Sequence, residues 1–254
     1  MAGVAVLVSG GAGGLGAAAA EASAARGCAV AVADLELDGA ERVAEACRAR
    51  VPASFAIGVD LATAEGPARM VEAAADGSGG RDVLVRRAAA APAEALLATT
   101  AEAWEPALLV DLRACALATA AAGRIMQAQG GGGRIVHVTS AAARMALPIY
   151  AADAAVDSST RSTAAASTPR GVGVTSLSPG MMDTPLQLRT EETFARLAGR
   201  SDLEAFRAEC TARIPMGRRT DPAEMAAMIV WLALDAPAYM TAARLDVTGG
   251  LDKD

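Results

Sequence analysis

Short runs of β-branched and aliphatic residues alternate along the chain with longer alanine-rich stretches whose apolar positions recur at helical spacing. A continuous apolar run of strand length reads as a strand buried on both faces, and its alternation with amphipathic helices marks parallel βαβ units. The runs predict seven strands, at Val4–Ser9, Cys28–Asp34, Ser54–Asp60, Asp82–Val85, Gly133–Thr139, Gly173–Ser178 and Arg244–Val247. The stretches between them predict helices at roughly Leu15–Arg26, Asp38–Arg50, Glu65–Ala75, Ala101–Gln129, Tyr150–Ser167 and Asp221–Leu234. Gly27 stops the first helix, and Asp221 followed by Pro222 starts the last, because proline suits a first turn whose N–H groups have no helical partner. The glycine runs 77–80 and 130–133 are loops within one domain, and no repeat is visible. From Met181 to Arg213 the alternation breaks, leaving a short helix near Leu203–Cys210 in a segment suited to a substrate lid.

Composition adds that the core is built from small residues, since 53% of the chain is hydrophobic but only 3% aromatic. A formal charge of −6 argues against nucleic acid or an anionic membrane surface as partner, because either needs a basic face. The four cysteines, Cys28, Cys47, Cys115 and Cys210, have neither disulfide nor zinc spacing, and are expected as buried apolar residues in a reducing cytosol. The apolar N-terminus lacks the basic start of a signal peptide, and no apolar run of membrane-crossing length stands out. A cytoplasmic protein is the expectation.

The residues Ser9-Gly10-Gly11-Ala12-Gly13-Gly14-Leu15-Gly16 follow the first strand and open the first helix. In that position glycines let backbone amides and the positive helix end approach a pyrophosphate. Asp34 ends the second strand, where a carboxylate accepts hydrogen bonds from ribose hydroxyls and repels a 2′-phosphate, so NAD is expected in preference to NADP. The fold class is therefore α/β: one doubly wound, Rossmann-type domain over residues 1–254, with a seven-stranded parallel sheet and helices on both faces.

Further motifs accompany the loop. Gly10, Gly14 and Gly16 form a Gly-x-x-x-Gly-x-Gly pattern; Val59-Asp60-Leu61 follows the third strand, and Gly133-Arg134-Ile135-Val136 with Thr139-Ser140 marks the fifth. Ser178-Pro179-Gly180 with Thr184-Pro185 precedes the lid, and Pro215-Met216-Gly217-Arg218, Asp221-Pro222-Ala223-Glu224 and Gly249-Gly250 complete the tail. With these motifs the whole chain resembles a short-chain dehydrogenase/reductase. The resemblance implies a cofactor site formed by Ser9, Gly10, Gly14, Leu15, Gly16, Asp34, Leu35, Asp60, Leu61, Arg86, Pro179, Gly180 and Thr184. It also implies catalysis by Ser140 and Tyr150, with Asp111 at the position of an active-site asparagine, and a homodimer or homotetramer paired through the helices Ala101–Gln129 and Tyr150–Ser167.

The site departs from the family pattern. Four residues after Tyr150, where the family carries a lysine that lowers the tyrosine pKa, stands Ala154, or Asp153 if the register shifts by one. Asp111 replaces asparagine in Val110-Asp111-Leu112, and Arg86-Arg87-Ala88-Ala89 replaces Asn-Asn-Ala-Gly. A free phenol has a pKa of about 10, so near neutral pH roughly one molecule in a thousand is phenolate. Tyr150 is then a poor base for alcohol oxidation but a protonated donor for carbonyl reduction. Arg86, Arg87 and Arg144 offer cations that cannot copy lysine's geometry: they either stabilise a developing oxyanion or bind phosphate, or, for Arg86 and Arg87, fill space the cofactor needs. His137, the only histidine, sits inside a strand and reads first as a hydrogen-bonded core residue, second as a titrating group. Two readings follow: an NAD(H)-dependent oxidoreductase with Tyr150 as acid and Ser140 as oxyanion donor, or the same fold without redox chemistry, as a cyclase, a lyase or a silent binding subunit.

Overall fold

The structure, a computed structural model, describes residues 3–78, 82–90, 100–143 and 153–251. Seven parallel strands form one sheet in the order β3-β2-β1-β4-β5-β6-β7. They are β1 (Ala5–Ser9), β2 (Ala29–Asp34), β3 (Phe55–Gly58), β4 (Val83–Arg86), β5 (Gly133–Val138), β6 (Val172–Pro179) and β7 (Arg244–Val247). Compared with the sequence reading, β3 is shorter and β4 runs one residue further, so that Arg86 closes the strand opposite Ser9 and His137.

Alternate residues of each central strand feed opposite cores. Val6 and Val8, with Val30, Val32, Val83 and Val85, face Leu15, Ala19 and Ala20 of α1 (Gly14–Ala25), Val43 and Cys47 of α2 (Leu37–Arg48) and Ile229 of α9 (Pro222–Val230). Leu7, Leu84 and Ile135 face Met70 and Val71 of α3 (Gly66–Ser78), Ala118, Ala122 and Met126 of α5 (Ala114–Ala128) and Ala164 of α6 (Asp153–Ser167). This two-sided burial is why the strands are continuously apolar rather than alternating. A side chain of period two cannot slip by one residue here without exchanging the two cores.

Where the strand order reverses, between β1 and β4, the loops at the carboxyl ends diverge and leave a crevice. One wall of it comes from the helix predicted over Ala101–Gln129. That helix divides into α4 (Ala101–Pro106), a wide π-helical stretch at Ala107–Arg113, and α5. Pro106 has no N–H to give the preceding turn, and the wide stretch starts at the next residue. Together Ala101–Ala128 is long and apolar enough to cross a membrane by length and hydropathy, a correction to the sequence reading. The buried face of α5, however, packs on the sheet through Ala118, Ala122 and Met126.

The segment from Met181 to Arg213 is also more regular than its sequence suggested. It contains α7 (Pro185–Leu197), which the sequence reading missed, before α8 (Leu203–Ala212). Thr184 caps α7 by accepting from Gln187 N, and Pro185 occupies its first turn. Among the cysteines, Cys28, Cys47 and Cys115 are buried as expected, but Cys210 on α8 is only half-buried.

Candidate functional site

The glycine loop is shaped by contacts that only glycine permits. Gly10 lies at φ +68°, and a Cβ on Gly16 would fall on the Gly10 carbonyl oxygen. Behind the loop, α1 begins with no side-chain cap and no acidic residue in its first turn, so its positive end is left open to an anion.

Asp34 is tied to this loop. Its Oδ2 accepts from Ala12 N at 2.9 Å and its Oδ1 from Glu36 N at 3.1 Å, which holds the carboxylate at the tip of β2. Leu35 beside it is 66% exposed. After β3, Asp60 closes a turn by accepting from Ala62 N at 2.8 Å, and Leu61 packs against the core. Ser9 is buried, with its hydroxyl accepting from Arg87 N at 3.1 Å and Ala88 N at 3.3 Å. It therefore joins the end of β1 to the exit of β4.

Across the crevice, a cavity brings together Leu15, Arg86, Arg87, Asp111, Ser140, Pro179, Gly180 and Thr184. Gly14 borders it, because a Cβ there would lie 3.4 Å from Thr184 Cγ2. Asp34, Leu35, Asp60 and Leu61 stand apart, at the ends of β2 and β3. Met182, Gln187 and Thr190 complete the wall from the segment 181–213, and the sequence reading singled out neither Gln187 nor Thr190. The Thr184-Pro185 start with Gln187 three residues after the cap was the available signal for them.

Arg86 does not extend into the solvent of this cavity. It is 3% exposed, and its Nη2 donates to the carbonyls of Val110 and Asp111 in the π-helical stretch. The Asp111 carboxylate accepts from Ala90 N at 2.8 Å and lies 3.9 Å from Arg86. Ser140 follows β5 and accepts from Ala142 N at 3.1 Å, which starts a short turn; one acceptor site and its hydroxyl hydrogen remain for a ligand.

His137 belongs to the interior. Thr119 and Thr160 hydroxyls meet its two ring nitrogens at 3.0 and 2.9 Å, and burial pushes its pKa down to about 3. The imidazole is neutral at physiological pH, in line with the core reading. Tyr150 and Arg144 lie outside the described residues. Positions 153 and 154 begin α6.

Comparison with known proteins places this geometry. Residues 10–252 match the family model described as enoyl-(acyl carrier protein) reductase. The chain is 36% identical to cis-4-hydroxycyclohexanecarboxylate dehydrogenase of Sinomonas cyclohexanicum, over 96% of this chain and 94% of that one. It is 33% identical to the L-rhamnose 1-dehydrogenase (NAD(P)(+)) of Azotobacter vinelandii, over 97% of this chain and 95% of the other. The crystal structure of an actinorhodin polyketide ketoreductase variant with NADPH superposes with a TM-score of 0.92 at 26% identity, covering 100% of both chains.

Proposed function

The chain belongs to the short-chain dehydrogenase/reductase family, and from that premise we propose that it is an NAD(H)-linked oxidoreductase that works chiefly as a ketone reductase. The observation that carries the cofactor choice is Asp34, whose carboxylate is fixed by Ala12 N and Glu36 N beside the open end of α1. That placement suits two ribose hydroxyls and disfavours a 2′-phosphate. A dinucleotide is supported by the open side of the loop, where a Cβ on Gly13 would meet nothing within 4 Å and α1 starts without a side-chain cap. Gly10, Gly14, Leu15 and Gly16 would hold the diphosphate, Asp60 and Leu61 the adenine end, and Pro179, Gly180 and Thr184 the nicotinamide end. A bound nicotinamide supplies or accepts the hydride.

The chain's own groups then manage the oxygen and its proton. Ser140 donates its hydroxyl hydrogen to the substrate oxygen, and Tyr150 passes its phenolic proton to that oxygen during reduction. Position 154 is alanine, so the ammonium that lowers the tyrosine pKa in the family is missing from it, and a free phenol is protonated near neutral pH. Reduction is thereby favoured kinetically over oxidation. Turnover of a ketone panel, followed at the nicotinamide absorbance, tests this assignment. Loss of turnover in Tyr150→Phe supports it, and turnover unchanged by that substitution removes Tyr150 from the mechanism.

A second reading, a binding subunit or non-redox catalyst on the same fold, is motivated by the absent lysine and by Arg86 and Asp111 engaging each other. Tight nicotinamide binding with no turnover on any substrate would favour it. Self-association belongs to the proposal as well. A groove between α5 and α6 has Ala116, Ala120, Gly123 and Ala166 together with Arg124, Gln127 and Arg170 among its lining, a mix of small and polar side chains that suits a second copy. Light scattering should report a dimer or tetramer.

A further inference from the structure

The crevice contains a cation that the reaction above does not use. Arg87 leaves β4 with its backbone N–H anchored on Ser9 Oγ, and its side chain crosses to the glycine loop. A Cβ on Gly14 would lie 4.0 Å from Arg87 Nη2, so the guanidinium sits at the first residue of α1. Leu15, Thr184 and Arg87 wall the same cavity.

Its neighbour gives the contrast. The guanidinium of Arg86 is engaged by two carbonyls, whereas that of Arg87 has no hydrogen bond or ion pair among the described residues. Burial holds the Arg87 pKa below its ordinary value, with Asp34 opposing that shift and Arg86 adding to it. An arginine keeps its charge even so. The Arg87 side chain is half-buried with no hydrogen bond or ion pair among the described residues, and it faces a helix end that is itself positive and uncapped. Two positive features converging on one space raise the potential there, and an anion relieves both.

We propose that Arg87 and the N-terminus of α1 bind the diphosphate of a nucleotide between them, with Arg87 acting as a charge clamp in place of the neutral residue of the family pattern. The planar guanidinium can give two parallel N–H donors to phosphate oxygens, which a point charge cannot. Arg87 is thus a cofactor-positioning residue, and the inference rests on the dinucleotide reading of the crevice. The Thr184 hydroxyl accepts from Gln187 N to cap α7 and keeps its own hydrogen for a ligand, but it brings no charge.

Calorimetric titration with ADP, adenosine and NADH tests it on the wild type, Arg87→Ala and Arg87→Lys. Arg87→Ala should bind ADP and NADH about tenfold to hundredfold more weakly, with adenosine unchanged and Arg87→Lys between the two. Wild-type affinity for ADP should fall with salt more steeply than that of the alanine variant. Since no hydrogen-bond or ion-pair partner among the described residues is lost, the thermal midpoint of ligand-free Arg87→Ala should not fall. Arg87→Gln, neutral and closer in size, replaces the alanine variant if that fails to fold, with the same expectation. Equal ADP affinity in wild type and variant, or equal losses for ADP and adenosine, would overturn the clamp. If NADH binds equally to both proteins, the clamp fails and the dinucleotide reading stands. If ADP binding depends on Arg87 but NADH does not bind, the reading fails and the diphosphate site stands; if the wild type binds neither, both are wrong.

Discussion

Arg86 Nη2 donates to the backbone carbonyls of Val110 and Asp111 at 2.6 and 2.7 Å, so the end of β4 holds the π-helical stretch in place. Asp111 returns the connection by accepting from Ala90 N, beyond the same strand. The two charges lie 3.9 Å apart with side chains 4% and 5% exposed, and each helps to satisfy the other. A sequence that replaces two asparagines with arginine and aspartate has in this way kept the crevice wall by other means.

Removing Arg86 takes a cation away from the buried Asp111 carboxylate and its donor away from the Val110 and Asp111 carbonyls. Arg86→Ala should therefore lower stability by about 3–5 kcal/mol, whereas Asp111→Asn, which retains an acceptor for Ala90 N, should cost less. Urea denaturation of both variants measures the difference. Equal small losses would mean that the pair is not what holds the wide turn.

His137 predicts an acid limb of stability. Its folded pKa is depressed to about 3 from the usual 6.5, so the unfolded chain binds the extra proton first. Its contribution to stability is fully present above pH 6.5 and declines as pH falls, reaching a loss of roughly 2 kcal/mol by about pH 5. His137→Gln should flatten the unfolding profile between about pH 3 and 6.5. Activity near neutral pH should show no step traceable to this imidazole.

The missing lysine can be restored. Ala154→Lys, or Asp153→Lys if the register is shifted, should raise turnover, most of all for alcohol oxidation near neutral pH. Each unit by which an ammonium lowers the phenol's pKa raises the phenolate fraction about tenfold. The check is the pH–rate profile, whose alkaline rise should move to lower pH. No gain from either variant would mean that the site has been rebuilt around other groups.

On α7, Glu191 is 2% exposed and is paired to Arg219 at 2.9 Å and Arg207 at 3.2 Å, with Gln187 donating to it at 3.0 Å. This carboxylate joins α7 to α8 and to the segment before α9. Glu191→Gln should cost about 1.5–3 kcal/mol, because charge-assisted hydrogen bonds become neutral ones. Hydrogen exchange should show the loss concentrated in α7 and α8. A uniform loss across the sheet would contradict a local role.

Much of this organisation is legible in the chain itself. The glycine loop, Asp34 and the two-faced strands can be read because each depends on local chemistry: glycine at a close approach, a carboxylate at a strand end, apolar runs bounded by turns. The inward turn of Arg86 is not legible, since it depends on which way a strand-end side chain faces and on a wide turn from a distant helix. Helix α7 was hidden for another reason. Its exposed positions are as polar as a loop's, and only Thr184, Pro185 and Gln187 mark its start. His137 could be assigned to the core from its strand position, but its partners Thr119 and Thr160 belong to α5 and α6 and emerge only with the fold.

Calorimetric titration of the wild-type protein with NADH and with NADPH tests the central assignment most directly. The arrangement of Asp34 with Ala12 N and Glu36 N predicts that NADH binds and that NADPH binds more weakly, with Asp34→Ala narrowing the gap. Absence of NADH binding at millimolar cofactor, or tighter binding of NADPH, would contradict it.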